Sequence, residues 1–257
     1  MRKRCKYRKL NHGYLRDAAC SAILDVVNMP KYRCLKAVEI VLAKKSDTYH
    51  HGNLRQAMLF AAAEVLAEKG LQGLTLRACA RQAGVSHAAP AHHFAGLKGL
   101  LTAIAAESFV MIAVVAEKIY AQFDGNPEAL LKTFAVSYSQ FAKENPERFR
   151  LMFRRDLLDT DDQDLCAAEA RAYSTFVKIV HGLRGEQAAT LEDFRQGHLS
   201  KQMYVDVALY WSAVHGFAHL NIENQLVGYD QIVGVDDLEN DMWTAISKRM
   251  LGTPSAD

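Results

Sequence analysis

The feature that most constrains the fold is a pair of short helical segments separated by a glycine turn, between residues 75 and 94. Thr75 precedes the first segment and Ser86 precedes the second. Both residue types favour helix starts, because their hydroxyl groups accept hydrogen bonds from free backbone N–H groups. Gly84 permits the sharp turn between the segments. This arrangement predicts a helix-turn-helix whose second helix covers residues 87–93.

Helical periodicity continues on both sides of this motif. Apolar residues recur every three to four positions from Leu54 to Leu66, and a glycine suited to a helix C-cap follows at Gly70. Alternating β-branched residues are scarce, so strands are not expected. The sequence therefore predicts an all-α protein. Its remaining helices are expected at about 97–120, 128–143, 146–157, 164–182, 188–195, 201–225 and 236–250.

Charge is distributed unevenly along the 257 residues, of which half are apolar. Residues 1–46 hold 12 Lys and Arg against 3 Asp and Glu, a balance of +9, residues 47–106 hold 5 against 3, and residues 107–257 hold 14 against 23. A basic front and an acidic back favour a protein of which one end meets a polyanion. The alternative is that charge simply varies along the chain.

Several functional classes are disfavoured. The longest uninterrupted apolar run, from Phe109 to Ala116, is too short for a membrane span, and no apolar signal region follows the basic N-terminus. The five cysteines are scattered without a C-x-x-C pair, which disfavours a disulfide framework or a zinc site and predicts a cytoplasmic protein. No esterase elbow, P-loop, dinucleotide fingerprint or H-E-x-x-H motif occurs, so neither an enzyme nor a cofactor is expected.

Two weak metal candidates are also set aside. His215 and His219 stand four residues apart on one predicted helix, but no Glu or Cys lies at a useful spacing. The acidic stretch 159–164 lacks the glycine and the closing glutamate of a calcium loop. Structural or pocket histidines and a solvated loop are the better interpretations, and no metal is expected.

The motif and much of the C-terminal half resemble the tetracycline-repressor (TetR) family, over about residues 47–251. The C-terminal resemblance is to the WHG-type ligand domain of one branch of that family. The matching runs are Asn53-Leu54-Arg55, Gly70, Thr75-Leu76-Arg77, Ala80, Ala83-Gly84-Val85-Ser86, His93-Phe94, Leu100-Leu101, Asn145-Pro146-Glu147-Arg148-Phe149-Arg150-Leu151-Met152-Phe153 and Trp211-Ser212-Ala213-Val214-His215-Gly216.

The resemblance implies a DNA-binding transcription regulator, by the habit of the family a repressor, with three segments. Residues 1–46 are expected to be a basic, partly disordered and dispensable extension. Residues 47–106 would form the helix-turn-helix domain, and residues 107–257 a helical domain for ligand binding and dimerisation. The expected partners are a near-palindromic operator in double-stranded DNA, a second copy of the chain and a small-molecule effector, with no membrane partner.

The DNA contacts are expected around the second helix of the motif. Small side chains at its start let the backbone approach base edges, while basic residues beyond it would lie near phosphates. Ala91 stands where the family commonly has a phosphate-contacting Tyr, and Lys98 follows Phe94 by four residues instead of three. The candidate DNA-binding residues are Thr75, Arg77, Ser86, His87, Ala88, Ala89, His92, His93 and Lys98.

The effector pocket is expected among the helices after residue 107, with the helix at 97–120 transmitting its occupancy. Its candidate wall residues suggest a small apolar or aromatic effector, although each of them could be ordinary core. They are Tyr138, Phe141, Phe149, Met152, Phe153, Tyr173, Phe176, Trp211 and His215.

Dimerisation is expected through the helices at 201–225 and 236–250. The first of these helices carries an apolar stripe that is wide enough for a core and an interface, although it could serve the core alone. The stripe is formed by Met203, Val207, Tyr210, Trp211, Val214, Phe217 and Ala218. Two alternatives to the regulator remain open. One is a helical ligand-binding protein without specific DNA readout, and the other is a non-specific DNA binder that uses the basic arm.

Overall fold

A computed structural model describes residues 54–86, 93–182, 190–229 and 238–252, and every regular element in these ranges is helical. The predicted all-α fold is confirmed. The basic extension at 1–46 lies outside the described residues. So does nearly all of the second helix of the motif, since only His93 of residues 87–93 is described.

The described ranges contain nine helices in the order expected from periodicity. They are α1 (Leu54–Gly73), α2 (Leu76–Gln82), α3 (Gly96–Ala121), α4 (Pro127–Glu144), α5 (Pro146–Met152), α6 (Gln163–His181), α7 (Leu191–Gln196), α8 (Lys201–Ile222) and α9 (Leu238–Met250).

Several helix ends differ from the expected positions. Helix α7 begins at Leu191 and not near residue 188, and α8 ends at Ile222 and not near residue 225. Helix α1 continues to Gly73 across a break at Gly70, which takes φ 64° and ψ −175°. Helix α5 ends at Met152 and not near residue 157. The chain leaves α5 because Leu158 packs into a core built by α1–α3, where it is only 2% exposed. The next residue, Asp159, donates its backbone N–H to Thr102 Oγ1 over 2.9 Å.

Local capping fixes the first helix of the motif. Thr75 Oγ1 accepts a hydrogen bond from the backbone N–H of Ala78 over 3.1 Å, as its residue type predicts. The turn that follows passes through Gly84 at φ 67°, in the left-handed region that favours glycine. Val85 then donates its N–H to the carbonyl of Ala80 over 3.0 Å. The chain thus reaches Ser86 with the turn geometry predicted for the motif.

Two hydrophobic clusters form the interior. The first joins α1, α2 and the first half of α3, and takes in Leu151, Leu158, Leu165 and Ala168 from the C-terminal half of the chain. The second joins the end of α3 to α4, α6, α8 and α9 around large side chains such as Phe134, Phe176, Tyr210 and Trp243. Helix α3 therefore passes through both clusters.

The position of α3 also explains its apolar composition. The helix is long and apolar enough to cross a membrane by length and composition alone. The count of uninterrupted apolar residues in the sequence did not reveal this. Most of its apolar stretch is buried against the rest of the protein, and its closest packing partner is α6. Its hydrophobicity is accounted for by a central position in the core.

Candidate DNA-binding and ligand-binding sites

The predicted DNA-contacting residues that the structure describes lie on the surface around the helix-turn-helix. Thr75, Arg77, Ser86, His93 and Lys98 are all exposed. Their positions follow from the N-cap of α2 and the start of α3. Phe94, just before α3, and Leu100, within it, anchor the chain in the first cluster. His87, Ala88, Ala89 and His92 lie outside the described residues.

Sequence reasoning did not include Arg55 among the candidates. Its guanidinium lies 5.7 Å from the centroid of the Phe94 ring, on the surface side of the first cluster. A cation over an aromatic face is favourable, so Arg55 holds the segment that follows the second helix of the motif. The signal was present in the sequence, since Arg55 belongs to the run that carried the family resemblance.

A cavity of about 470 Å³ lies among α3, α4, α6, α7 and α8. This volume is typical of a site for a small organic ligand. Six of the predicted wall residues line it: Tyr138, Met152, Phe153, Tyr173, Phe176 and Trp211. Further lining side chains, which sequence reasoning did not select, are Phe109, Ile112, Phe134, Leu191, Phe194, Arg155, Cys166, Glu169 and Arg195.

The three other predicted wall residues, Phe141, Phe149 and His215, lie outside the cavity wall. Phe149 is fully buried and packs edge-on against Tyr138, with ring centroids 5.5 Å apart. His215 stacks on Trp211 with centroids 5.1 Å apart and an angle of 13° between the rings. Phe149 and His215 therefore form a second layer that supports residues of the wall.

Ring contacts between neighbouring helices hold the wall together. Phe153 meets Phe109 of α3 edge to face at 5.9 Å, and Tyr173 of α6 meets Phe194 of α7 in the same way at 5.4 Å. Phe176 stacks on Tyr210 with centroids 5.7 Å apart. Such contacts restrict each ring to one orientation, so the cavity has a preformed aromatic lining.

The hydroxyl group of Tyr138 lies 3.0 Å from His215 Nδ1. Burial, together with repulsion from His219, lowers the pKa of His215 to about 4, so its imidazole is neutral near pH 7. Burial also raises the pKa of Tyr138 well above its ordinary value, so the phenol keeps its proton. Both partners are therefore neutral, and the direction of their hydrogen bond is set by the tautomer of the imidazole.

Three charged residues line the cavity, namely Arg155, Glu169 and Arg195. Arg155 donates to Glu169 over 2.5 Å, and the Arg155 side chain is 61% exposed. Burial raises the pKa of Glu169, an effect that the neighbouring Arg155 opposes. Arg195 of α7, which is exposed, is the third charged lining residue. Sequence reasoning missed the three because charged residues far apart in sequence carry no periodic signal.

Polar contacts connect the helix-turn-helix side to the cavity side through α3 and α5. Gln56 of α1 donates to Glu107 over 3.2 Å. Arg148 of α5 lies 3.9 Å from the same carboxylate and donates to Ser108 over 3.3 Å. Helix α5 ends at Met152, which lines the cavity. A displacement of α5 would therefore change these polar contacts and act directly on α1.

The apolar stripe predicted on α8 is mostly internal. Met203, Val207, Tyr210, Val214, Phe217 and Ala218 are buried within the subunit, and Trp211 lines the cavity. The same helix exposes a second row of apolar side chains, Val205, Leu209 and Leu220, which are 48%, 56% and 46% exposed. Their spacing of four and eleven residues places them on one outer face. We call these three residues the outer face of α8.

Comparison with known proteins agrees with this architecture. Residues 59–104 match the family of bacterial regulatory proteins named tetR, and residues 131–239 match the tetracyclin repressor-like C-terminal domain. No curated protein matches the chain significantly.

Solved structures supply further likenesses. A protein of unknown function from Rhodococcus sp. RHA1 is 26% identical and superposes with a TM-score of 0.58, covering 80% of this chain and 98% of its own. SCO4313, a candidate regulatory protein, is 20% identical with a TM-score of 0.57 and coverages of 78% and 96%. The TetR family transcriptional regulator PfmR from Thermus thermophilus is 17% identical with a TM-score of 0.49, covering 76% of this chain and 97% of its own. With both halves matched in the expected order, the chain belongs to the TetR family and is a transcription regulator with a DNA-binding helix-turn-helix domain.

Proposed function

We propose that this regulator is a cytoplasmic repressor that leaves a near-palindromic operator when a small apolar or aromatic effector fills the cavity. One observation carries the proposal: α3 belongs to both hydrophobic clusters. Leu100 and Ile104 in its first half pack beneath the helix-turn-helix, whereas Phe109 and Ile112 line the cavity. A ligand that shifts α3 at one end therefore shifts the helix-turn-helix at the other.

The operator contacts in this proposal are the residues around the motif. Ser86, His87, Ala88 and Ala89 would approach base edges in the major groove, while Thr75, Arg77, His92, His93 and Lys98 would contact phosphates. Arg77 and Lys98 form no ion pair with a carboxylate in the part of the chain that the structure describes. Their charges are thus available to a polyanion.

Release would use the contacts of α3 and α5. The effector needs only to prefer one conformer by a few kcal/mol, since binding shifts an existing equilibrium. Packing of Phe153 on Phe109 ties the segment after α5 to α3, and the Gln56–Glu107–Arg148 contacts tie both helices to α1. A change in wall spacing would then alter the distance between the two recognition helices of a homodimer.

The first experiment selects DNA sites from a random duplex pool at about physiological salt, using the full chain. A His93→Ala, Lys98→Ala double variant is the test, and Lys201→Ala, an exposed lysine at the start of α8, is the matched control. We expect a palindromic consensus from the full chain and from the control. The double variant should bind that site at least about tenfold more weakly, since two phosphate contacts are lost.

Other outcomes identify the two alternative functions. Recovery of no consensus at all would contradict the proposal and favour a ligand-binding protein without DNA readout. Retention of DNA without preference, with a steep dependence on salt and loss on removal of residues 1–46, would point to a non-specific binder that uses the basic arm. A regulator should instead prefer its site by orders of magnitude.

A further inference from the structure

We propose that the effector is an uncharged aromatic molecule with a hydrogen-bond acceptor, such as a carbonyl oxygen, that receives the donors of Tyr173 and Trp211 in the cavity. This inference rests on the proposed function, because it names the chemical class of ligand for the same cavity. It goes beyond that function by assigning the ligand no charge and an acceptor group, and by naming the residues that select it.

The absence of a charge on the ligand follows from the charged side chains of the lining, which are already engaged within the protein. Arg155 donates to Glu169 over 2.5 Å, and the two form an ion pair. Arg195 has an interaction partner of its own. A charged ligand would therefore have to displace one of these interactions or enter an apolar site without a counter-ion. Both alternatives are costly, and an uncharged ligand avoids them.

Two of the uncharged polar groups on the lining are engaged as well. The hydroxyl group of Tyr138 lies 3.0 Å from His215 Nδ1. The thiol of Cys166 donates to the carbonyl of Thr160 over 3.4 Å. A ligand that bound to either group would compete with a contact that the protein already makes.

Tyr173 and Trp211 differ from these groups. Both residues line the cavity and stay partly exposed, and both pack their rings against neighbouring aromatic side chains. Within the ranges that the structure describes, neither the Tyr173 hydroxyl nor the Trp211 indole N–H forms a hydrogen bond. These two groups are therefore the ones that a ligand can use without breaking a contact.

The polar group of the ligand follows from the chemistry of these two side chains. An indole N–H can only donate, whereas a phenol can both donate and accept. Burial raises the pKa of Tyr173, so its phenol keeps its proton near pH 7 and can donate. A ligand that offered only donors would leave the Trp211 N–H without a partner. A carbonyl oxygen has two lone pairs and can accept from both groups.

The two donors belong to one region of the cavity, beside Phe176. The Phe176 ring centroid lies 6.0 Å from that of Tyr173 and 5.4 Å from that of Trp211. Phe176 is only 2% exposed and stacks on Tyr210, so its ring has a fixed orientation. An aromatic body that packs against Phe176 therefore has both donors in its immediate surroundings.

The test compares three ligands that share a naphthalene body and differ in one substituent. Methyl 2-naphthyl ketone carries the acceptor, 2-isopropenylnaphthalene has a methylene group in place of that oxygen, and 2-naphthoate carries a negative charge. Each ligand displaces the neutral fluorescent probe N-phenyl-1-naphthylamine from the full chain without DNA, and the loss of probe emission gives its Kd. We expect the ketone to bind at least about tenfold more tightly than the naphthoate, because the charged lining groups are already engaged.

Variants of the two donors separate the hydrogen bonds from the fit of the rings. Tyr173→Phe and Trp211→Phe each remove one donor and keep an aromatic ring. Each should weaken the ketone by about fivefold relative to the methylene analogue, as the loss of one hydrogen bond predicts. Tyr229→Phe is the matched control, since it removes an exposed phenol that does not line the cavity, and it should change neither Kd.

Two further variants establish that the ligands occupy the cavity. Ala170 lies on the lining, so Ala170→Phe and the smaller change Ala170→Leu should both weaken every ligand and the probe. Far-UV circular dichroism and thermal melting establish that each variant is folded.

A naphthoate that binds as tightly as the ketone would overturn the proposal. So would a ratio of ketone to methylene-analogue affinity that stays unchanged in Tyr173→Phe or in Trp211→Phe. The proposal would also fail if the wild type gave no saturable probe signal, or if binding persisted unchanged in both Ala170 variants, because no aromatic body would then occupy the cavity. These readouts do not involve DNA, so a failed operator selection would contradict the proposed function and leave these affinities intact.

Discussion

At the scale of single residues, the Tyr138–His215 pair joins the cavity wall to the layer behind it. Tyr138 belongs to the cavity lining, and His215 stacks behind Trp211. The hydrogen bond pairs the buried Tyr138 hydroxyl group with the partly buried imidazole. Leaving a buried polar group unpaired costs more than removing both partners together. The pair is therefore expected to behave as a unit under mutation.

His215→Phe should lower the free energy of unfolding by about 1–3 kcal/mol, because the Tyr138 hydroxyl loses its hydrogen-bond partner. The double variant Tyr138→Phe, His215→Phe should recover part of this loss, since neither partner then remains unpaired. Denaturant unfolding of the wild type, both single variants and the double variant completes the cycle. Additive losses in the double variant would show that the hydrogen bond contributes nothing measurable.

The lowered pKa of His215 also predicts how stability depends on pH. Its folded pKa of about 4 lies below the ordinary value of 6.5, so on acidification the unfolded chain takes up the proton first. The free energy of unfolding should fall as the pH drops from 6.5 toward 4, by at most about 1.4 kcal/mol per pH unit. The double variant Tyr138→Phe, His215→Phe should lack this contribution to the pH dependence of stability. An identical slope in the wild type and the double variant would contradict the assignment.

At the scale of helices, periodicity and caps predicted the order of elements because both are local signals. Thr75 caps the helix that it was predicted to precede, and Asn126, Asp162 and Ser200 cap three further helices whose caps were not predicted. The end of α5 was not predictable in this way, because Leu158 is drawn out of helical register by a core formed elsewhere in the chain. Tertiary packing, not propensity, decides that boundary.

The difference between local sequence signals and tertiary packing also applies to the candidate sites. Aromatic residues at helical spacing identified much of the cavity wall, since they mark buried helix faces. Periodicity could not separate Tyr138, which lines the cavity, from Phe149, which lies behind it. Nor could it find Arg155, Glu169 and Arg195, which only the fold brings together. The outer face of α8 was likewise hidden by the stronger internal stripe on that helix.

The break in α1 offers a test of helix geometry. Gly70 has φ 64° and ψ −175°, a combination that is essentially restricted to glycine. Gly70→Ala should therefore lower the free energy of unfolding by about 1–3 kcal/mol through backbone strain. Gly99→Ala is the matched control, since Gly99 lies inside α3 and its added Cβ would meet neighbours only at 3.6 Å or beyond.

We expect the Gly99→Ala variant to be neutral or up to about 1 kcal/mol more stable, because alanine favours helices over glycine. Thermal and denaturant unfolding of the two variants check both signs. A Gly70→Ala variant as stable as the wild type would mean that α1 does not need its break. In that case, something other than the break at Gly70 would place the last residues of α1 and the buried Leu74 against the first cluster.

At the scale of the whole molecule, the proposed operator symmetry and effector release would both require two subunits. Each subunit would offer one recognition helix, and the pair, related by twofold symmetry, would read a near-palindromic site. The outer face of α8 is the apolar surface on which this pairing is expected to rest. Val205, Leu209 and Leu220 lie on the helix whose opposite side carries Tyr210 and Val214 of the second cluster. The expected dimer interface and the cavity packing thus share one helix.

Leu209→Glu places a charge at the centre of the outer face of α8, where burial against a second copy would be costly. We expect the wild type to migrate at twice its 28.7 kDa subunit mass in size-exclusion chromatography with light scattering, and the variant to migrate at the subunit mass. The variant should also bind the operator more weakly, because the loss of dimerisation makes two linked half-site contacts independent. Val136→Glu, at an exposed apolar residue of α4, is the matched control and should remain dimeric.

A Leu209→Glu protein that stays dimeric and binds the operator normally would show that the interface lies on another surface. The coupling between subunits would then have to pass outside α8, and the effector could act on operator spacing only through α3 and α5.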